Sequence, residues 1–171
     1  ADCHGGPFLT DHEFHAVCMP QIGPGKGDGP SGHEDFGREQ VTGDEADRFK
    51  FRTPSLRNVA LTGPWGHAGA FNNLRDMVRH QLDTVSSMQS YDRYQVVLPY
   101  REDLADIDFL VLDDSDLVAD IVEANELGPR RLTKKEFEWL MEFMYALTDP
   151  NSMDIRSDTP MVVPSGLPMA D

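Results

Sequence analysis

Cysteine and histidine side chains near the start of the chain could hold a metal-containing cofactor. Cys3 is followed directly by His4, which matches the end of the C-x-x-C-H sequence that attaches c-type haem. In that motif the two cysteine sulfurs form thioether bonds to the porphyrin, and the adjacent histidine binds the iron. A Cys-His pair alone arises often by chance, so its meaning depends on the rest of the chain.

Two further histidines, His12 and His15, are separated by two residues. This spacing is one residue shorter than in a zinc-protease helix, where histidines four positions apart share the metal. It favours a surface or core role for both, and a non-haem metal site that uses them is the alternative. The acidic run from Asp113 to Asp116 lacks the glycine and the further ligands of a calcium loop, and is typical of a solvated turn and helix cap.

Length and composition indicate one globular domain with much irregular structure. The chain has 171 residues, 39% of them hydrophobic, with 14 glycines and 12 prolines. Its formal charge of −15 argues against nucleic acid as a partner, because phosphate binding needs clustered basic residues. No stretch approaches ~20 apolar residues, so no membrane span is predicted. Two cysteines are too few for a disulfide framework.

The first half of the chain contains two helix signals and many turn signals. A capping box at Thr10–Glu13 predicts a short helix that ends near Val17. The apolar residues between about 72 and 86 follow helical spacing, which predicts a helix there. Pro54 and Pro64 flank a short helix or turn. Strand signals are few throughout the sequence, so the candidate cysteine and histidine residues have to be positioned by helices and loops.

The second half contains the clearest helix. Asp116 could cap a helix that stops at Gly128-Pro129. A second capping box, Thr133–Glu136, begins an apolar stripe of helical period, and Pro150 prevents this helix from continuing. We therefore predict a mostly α domain over residues 1–150 with long Gly/Pro-rich loops. The proline-rich residues 151–171 are predicted to form an extended tail packed on this domain.

Several longer segments have a specific pattern. Residues 51–59 read FRTPSLRNV, residues 66–69 read GHAG and residues 74–83 read LRDMVRHQLD. Together with the segments that follow His4, they closely resemble the C-terminal haem domain of the bacterial di-haem cytochrome c peroxidase family, which includes the methylamine-utilisation enzymes. The resemblance covers nearly the whole chain and implies a cytochrome c-like haem domain.

The resemblance assigns individual residues to the haem attachment and to the two axial positions of the iron. His4 matches the proximal iron ligand and Cys3 the second thioether cysteine. The first cysteine would lie just before residue 1, so we expect the chain to be part of a longer protein. Gln81 stands where relatives place Met or Tyr on the distal side. Three readings stay open: Gln81 lines an open or water-bound site, which we prefer, His80 binds the iron, or Met77 does so instead of packing in the core.

The resemblance also suggests roles around the haem. Arg52, Arg57 and His67 are expected to pair with haem propionates or to support those that do, because a buried charge needs a partner. The backbone carbonyls of Thr62 and Pro64 match positions that help to hold calcium between two haem domains, with a plain turn as the alternative.

Three other side chains have a simpler interpretation. Trp65 and Trp139 could lie near an electron path, although core packing is the preferred reading for both. Cys18 is expected to be a buried thiol without assigned chemistry.

For function, the resemblance implies a periplasmic enzyme with two c-type haems that reduces hydrogen peroxide. Electrons would come from a small donor protein of the cytochrome c or cupredoxin type, and the N-terminal haem domain of the same protein would be a partner. One alternative is an electron carrier or haem-binding module without peroxidase turnover. Another is a relative that oxidises aromatic side chains of a partner protein, which the absence of Met at position 81 favours.

Overall fold

Helices supply most of the regular structure, as predicted. The computed structural model describes residues 3–96, 98, 100–155, 158, 160 and 163–166. Its α-helices are α1 (Glu39–Thr42), α2 (Leu74–Leu82), α3 (Thr84–Gln89), α4 (Leu110–Asp113), α5 (Ser115–Glu123) and α6 (Lys134–Ala146). Strands β1 (Phe14–His15) and β2 (Phe51–Arg52), and 3₁₀ helices at Glu45–Asp47, Val59–Leu61, His67–Gly69, Arg93–Gln95 and Pro150–Met153, complete the described elements. The predicted mostly α class is confirmed.

The helix predicted around residues 10–17 is wrong. This segment contains no helix, and Phe14 and His15 of β1 pair with Arg52 and Phe51 of β2 in antiparallel register. The Thr10 hydroxyl does not cap a helix but donates to the carbonyl of Thr53 at 2.8 Å. The capping-box pattern failed because this long-range pairing satisfies the groups that a helix would have used.

The helix predicted at 72–86 is present but is divided at Asp83. Asn73 caps α2 by accepting from the Arg75 amide. Asp83 ends α2 and caps α3, because its amide donates to the carbonyls of Arg79 and His80 while its carboxylate accepts from the Ser86 amide. Its extended backbone, with φ −153° and ψ 81°, turns the chain between the two helices.

The capping box that begins α6 is confirmed. The Thr133 hydroxyl accepts from the Glu136 amide, and the Glu136 carboxylate accepts from the Thr133 amide at 2.7 Å. For α5 the cap is Asp114 instead of the predicted Asp116, since the Asp114 carboxylate accepts from the amides of residues 116 and 117.

The core consists of three groups of buried side chains. One surrounds Ile121 of α5, a second surrounds Phe71, and a third joins α2 to α6. Their buried members are Cys18, Phe49, Met88, Val111 and Ile121; Met19, Ile22, Ala70 and Phe71; and Val59, Leu74, Val78 and Met141. Burying each large apolar side chain contributes about 1.5–3 kcal/mol, so the third group fixes α2, the helix with the predicted distal residues, against α6.

The two tryptophans differ in their surroundings. Trp65 packs against the core and donates from Nε1 to the Val59 carbonyl at 2.7 Å. Trp139 is 60% exposed on α6, with the Lys135 ammonium 4.7 Å from its ring centroid. The expected core packing is therefore wrong for Trp139. Cys18 is buried, as expected.

The glycine-rich segment 23–37 folds around Glu34, whose side chain is almost completely buried. The amides of Lys26 and Asp28 both donate to the Glu34 carbonyl, at 3.1 and 3.2 Å. Gly29 has φ +69°, and a Cβ at this position would lie 1.6 Å from Oε2 of Glu34. Burial, and secondarily the charge of Asp120, raises the pKa of the Glu34 carboxyl.

The tail predicted over residues 151–171 is not extended at its start, because it begins within the 3₁₀ helix Pro150–Met153. Residues 1, 2, 97, 99, 156, 157, 159, 161, 162 and 167–171 lie outside the described part of the chain, so the packing of the tail stays a prediction. None of the helices within the described residues is long and apolar enough to cross a membrane.

Candidate haem-binding site

The histidine of the Cys-His pair is held in one tautomer. His4 is partly buried, and its Nδ1 lies 3.1 Å from the carbonyl oxygen of Leu9. A carbonyl only accepts hydrogen bonds, so Nδ1 carries the proton and donates it. In the neutral ring, Nε2 is then the nitrogen that can bind a metal. Metal-binding histidines are usually fixed in this way by a hydrogen bond from the other ring nitrogen.

The cysteine lies beside two charged groups. Donor atoms of Cys3, Asp11 and His15 all lie within 4.8 Å of one another. His15 Nε2 is 2.9 Å from Oδ2 of Asp11, and His15 Nδ1 is 3.2 Å from Oε2 of Glu126. Glu126 is also within 3.2 Å of the Lys50 ammonium. The sequence did not predict this cluster, because its contact between His15 and Glu126 joins residues that are 111 positions apart. His12, which is exposed, is not one of its members.

Hydrogen bonds across this cluster shift its pKa values. Asp11 raises the pKa of His15 through its hydrogen bond, and the bond to Glu126 adds to this effect against the opposing effect of burial. The same bond lowers the pKa of Asp11 to about 2. Both partners of the His15 ring are acceptors, so this arrangement favours the imidazolium form.

The predicted distal residues lie on α2 and differ in their burial and hydrogen bonds. His80 is fully buried, with Nε2 2.9 Å from the Val17 carbonyl and Nδ1 3.1 Å from the Ser87 hydroxyl. Nε2 therefore donates, and Nδ1 accepts from Ser87. Burial lowers the pKa of His80 to about 4, so the ring is neutral near pH 7. Iron binding through His80 would break one of these bonds.

Gln81 and Met77 lie on the same helix. Gln81 is partly buried. Met77 is also partly buried and packs against the group around Phe71. The Met77 sulfur lies 3.5 Å from the position that a Cβ on Gly66 would take. These surroundings fit the core-packing reading of Met77.

The predicted propionate partners lie in two places. The Arg57 guanidinium donates to the Pro7 carbonyl at 2.8 Å and lies 5.1 Å from the ring centroid of Phe8, which joins it to the turn after His4. Arg52 is exposed and donates to the carbonyl of Thr53 at 3.1 Å.

His67 belongs to a separate network around Asp35. Its Nε2 is 2.7 Å from Oδ2 of Asp35, and its ring stacks on Phe51. Gln21 exchanges two hydrogen bonds with the backbone of Asp35, at 2.8 and 2.9 Å. Burial raises the pKa of Asp35, but the hydrogen bonds from His67 and the Gly37 amide outweigh it, so the value lies below its usual range. Gln21, Asp35 and His67 line a cavity of about 250 Å³ whose walls include neither Cys3 nor His4.

The predicted calcium positions are on the surface. Thr62 and Pro64 are exposed, and the peptide bond between Gly63 and Pro64 is cis. The Thr62 hydroxyl donates to the Val59 carbonyl at 3.3 Å. Both residues follow the 3₁₀ helix Val59–Leu61, whose Val59 packs in the third core group with Met141 of α6.

Comparison with known proteins agrees with the haem motif. No protein-family model matches the chain. It is 49% identical over 76 residues to the cytochrome c551 peroxidase of Pseudomonas aeruginosa, covering 44% of this chain and 21% of that protein. It is 37% identical over 112 residues to the cytochrome c peroxidase Ccp of Escherichia coli, covering 63% and 20%. It is 28% identical over 118 residues to the methylamine utilization protein MauG of Methylophilus methylotrophus, covering 68% and 29%.

A solved structure has a similar fold. The crystal structure of a MauG-like protein associated with microbial copper homeostasis superimposes with a TM-score of 0.55 at 24% identity, covering 91% of this chain and 44% of that one. The chain spans between a fifth and three-tenths of the length of the three curated relatives named above. The predicted resemblance is confirmed: the chain is related to part of the bacterial cytochrome c peroxidases and MauG proteins.

Proposed function

We propose that the chain is a c-type haem domain of a di-haem peroxidase-type oxidoreductase, which couples electron transfer to hydrogen peroxide reduction. The hydrogen bond between His4 Nδ1 and the Leu9 carbonyl carries this proposal. It leaves Nε2 of His4 as the nitrogen that can bind iron, directly after a cysteine that can hold the porphyrin. Relatives named as cytochrome c peroxidases support the reaction.

The residues around His4 fit a c-type haem. When bound, this group supplies an iron that changes oxidation state and, where a coordination position is open, binds peroxide. Cys3 would hold the porphyrin edge through a thioether bond. The Leu9 carbonyl fixes the orientation of the His4 ring, as such a bond usually does for a metal-binding histidine.

On the distal side we propose Gln81 as the residue that lines an open or water-bound position. A neutral amide is a poor iron ligand but can donate a hydrogen bond to a bound water or peroxide. The two bonds of His80 support a different role for that residue, namely anchoring α2 to Val17 and α3 so that Gln81 is held in place.

For the propionates we propose Arg57 first, because its contact with Pro7 keeps its guanidinium next to the turn that follows His4. Arg52 is the second candidate. His67 is already bound to Asp35, so its proposed contribution is to hold β2 and Arg52 through its stacking on Phe51.

Calcium at the carbonyls of Thr62 and Pro64 is proposed as a contact to a second domain. Carbonyl oxygens suit this hard cation, but two of them are fewer than the six to eight ligands it takes, so the others would come from outside the chain. The proposed partners are the N-terminal haem domain, hydrogen peroxide and a small donor protein of the cytochrome c or cupredoxin type. The proposed location is the periplasm, where covalent haem attachment takes place.

The test uses the full-length protein that contains this chain, expressed with a functional haem-maturation system. We expect two covalently bound haems per chain, and oxidation of a reduced cytochrome c that depends on hydrogen peroxide. The His4→Ala variant should lose the spectrum of one haem, and the His12→Ala variant should keep both. A colourless wild-type protein, or an unchanged spectrum in His4→Ala, would contradict the proposal.

A further inference from the structure

One short part of the surface is basic in a strongly acidic chain. Residues 128–135 read GPRRLTKK, so this stretch contains four of the 15 lysines and arginines and no acidic residue. The whole chain has a formal charge of −15. The stretch includes the loop before α6 and the start of that helix. We call it the basic segment, and its charged members are Arg130, Arg131, Lys134 and Lys135.

The four charged side chains of the basic segment face solvent. All four are exposed, and none of them forms an ion pair with any residue that the structure describes. Two acidic side chains that follow in α6 already have partners. Glu136 accepts from the Thr133 amide at 2.7 Å, and Glu138 accepts from the Arg75 guanidinium at 3.0 Å. The segment therefore presents positive charge that no ion pair neutralises.

Apolar side chains lie among these charges. Leu132 is 40% exposed, and Trp139, one helical turn after Lys135, is 60% exposed. The Lys135 ammonium lies 4.7 Å from the centroid of the Trp139 ring, so the charge and the ring share one surface. Tryptophan and arginine are enriched at protein–protein interfaces and among the residues that contribute most of their binding energy. This combination fits a protein partner with carboxylates around an apolar contact.

A backbone hydrogen bond connects the basic segment to the helix of the proposed distal residue. The Arg130 amide donates to the Leu82 carbonyl at 2.7 Å, and Leu82 follows Gln81 as the last residue of α2. In α6, the ring centroid of Phe137 lies 5.1 Å from the Arg79 guanidinium of α2. A partner bound to the segment therefore lies beside the end of α2 that carries Gln81.

We propose that the basic segment and Trp139 form the docking surface for an acidic protein that donates electrons to this domain. The inference rests on the proposed function for the electron-transfer role and specifies the chemistry of the donor. An acidic donor is repelled by most of this chain and attracted at the basic segment, so charge also orients the complex. Each docked donor loses one electron. Two docking events and two protons therefore supply the reduction of one hydrogen peroxide to two water molecules.

The first experiment measures binding without peroxide, with the haem-carrying, full-length protein. The probe is ¹⁵N-labelled, reduced plastocyanin, a small acidic cupredoxin, followed by its NMR chemical shifts. We expect shifts on its acidic face and an affinity that falls as the ionic strength rises from about 20 to about 200 mM. The double variant Arg131→Glu/Lys134→Glu should bind about tenfold more weakly. The control Lys26→Glu/Arg101→Glu changes two other exposed basic residues by the same total charge and should bind like wild type.

The second experiment measures turnover with hydrogen peroxide. In the Arg131→Glu/Lys134→Glu variant the KM for plastocyanin should rise about tenfold, with kcat unchanged. Oxidation of hydroquinone, a small neutral donor that needs no docking surface, should also be unchanged. Trp139→Ala should raise the KM for plastocyanin, whereas Tyr94→Ala, which removes an exposed aromatic ring elsewhere, should not.

Three results would overturn the inference. The first is a wild-type protein that does not bind plastocyanin in a salt-sensitive way. The second is equal plastocyanin affinity in the double variant and its control, with circular dichroism showing that both are folded. The third is sedimentation with phosphatidylglycerol vesicles that the double variant loses, which would assign the segment to a lipid surface. Absence of peroxide turnover with hydroquinone would contradict the proposed function, and the binding measurement does not depend on it.

Discussion

His67 Nε2 lies 2.7 Å from Oδ2 of Asp35, whose side chain is only 10% exposed. The same ring stacks on Phe51 with centroids 3.8 Å apart and planes 20° apart. One imidazole thus joins the loop at 66–69 to both the glycine-rich segment and β2. A buried acceptor that serves two donors is costly to remove, because both donors then lose their partner.

Removal of the Asp35 carboxylate is therefore expected to destabilise the fold. In Asp35→Ala, His67 and the Gly37 amide, which donates to Oδ1 at 2.8 Å, are left without an acceptor. We expect a loss of about 1–3 kcal/mol in the free energy of unfolding, measured by urea denaturation. Asp106→Ala is the control, since Asp106 is exposed and should change stability by less than about 0.5 kcal/mol. Equal effects of the two substitutions would show that the Asp35 network is not stabilising.

The buried His80 predicts a pH dependence of stability. Its pKa is about 4 in the folded chain, against 6.5 for an ordinary histidine. The unfolded chain therefore binds more protons between these values. The contribution of His80 is fully present above pH 6.5 and is lost as the pH falls toward 4, by up to about 3 kcal/mol.

The check is urea denaturation of wild type and His80→Gln between pH 7.5 and 4. An amide can hold both contacts without titrating, so the variant should lose stability less steeply over this range. His12→Gln changes an exposed histidine and should follow wild type. Parallel curves for wild type and His80→Gln would show that the buried ring does not govern acid sensitivity.

The capping box at the start of α6 gives a third prediction. In Glu136→Ala the Thr133 amide and hydroxyl lose their acceptor, and the free energy of unfolding should fall by about 1 kcal/mol. The matched control is Glu142→Ala, an exposed glutamate in the same helix that changes helix propensity equally. Thermal unfolding by circular dichroism measures both, and a Tm shift no larger in Glu136→Ala than in the control would count against the cap.

The distal assignment predicts a change of spin state in the haem-carrying, full-length protein. A thioether is a good axial ligand and raises the reduction potential, so Gln81→Met should convert the haem of this domain to a low-spin form with a higher potential. Gln81→Ala should leave the ligand position open. Gln89→Met, on the exposed end of α3, is the control. Spectroelectrochemistry reports both quantities, and a wild-type spectrum in Gln81→Met would place the iron away from residue 81.

Local signals in the sequence predicted local structure. The cap of α6 depends on Thr133 and Glu136 alone, so it could be predicted, and the Cys3-His4 pair could be recognised for the same reason. By contrast, β1 forms because residues 14 and 15 meet residues 51 and 52. The contact of His15 with Glu126 spans 111 positions. The burial of His80 depends on Val17, 63 positions away. Contacts between residues so far apart cannot be predicted from local residue spacing or from the residue type at one position.

The contact between Glu34 and Gly29 limits how this segment can diverge among related sequences. Because the carboxyl of residue 34 occupies the space beside the α-carbon of residue 29, a larger amino acid at 29 becomes sterically tolerable only after residue 34 has been shortened. Even then the left-handed backbone would disfavour it. Among related sequences, the acidic residue at position 34 should therefore be replaced before the glycine at position 29.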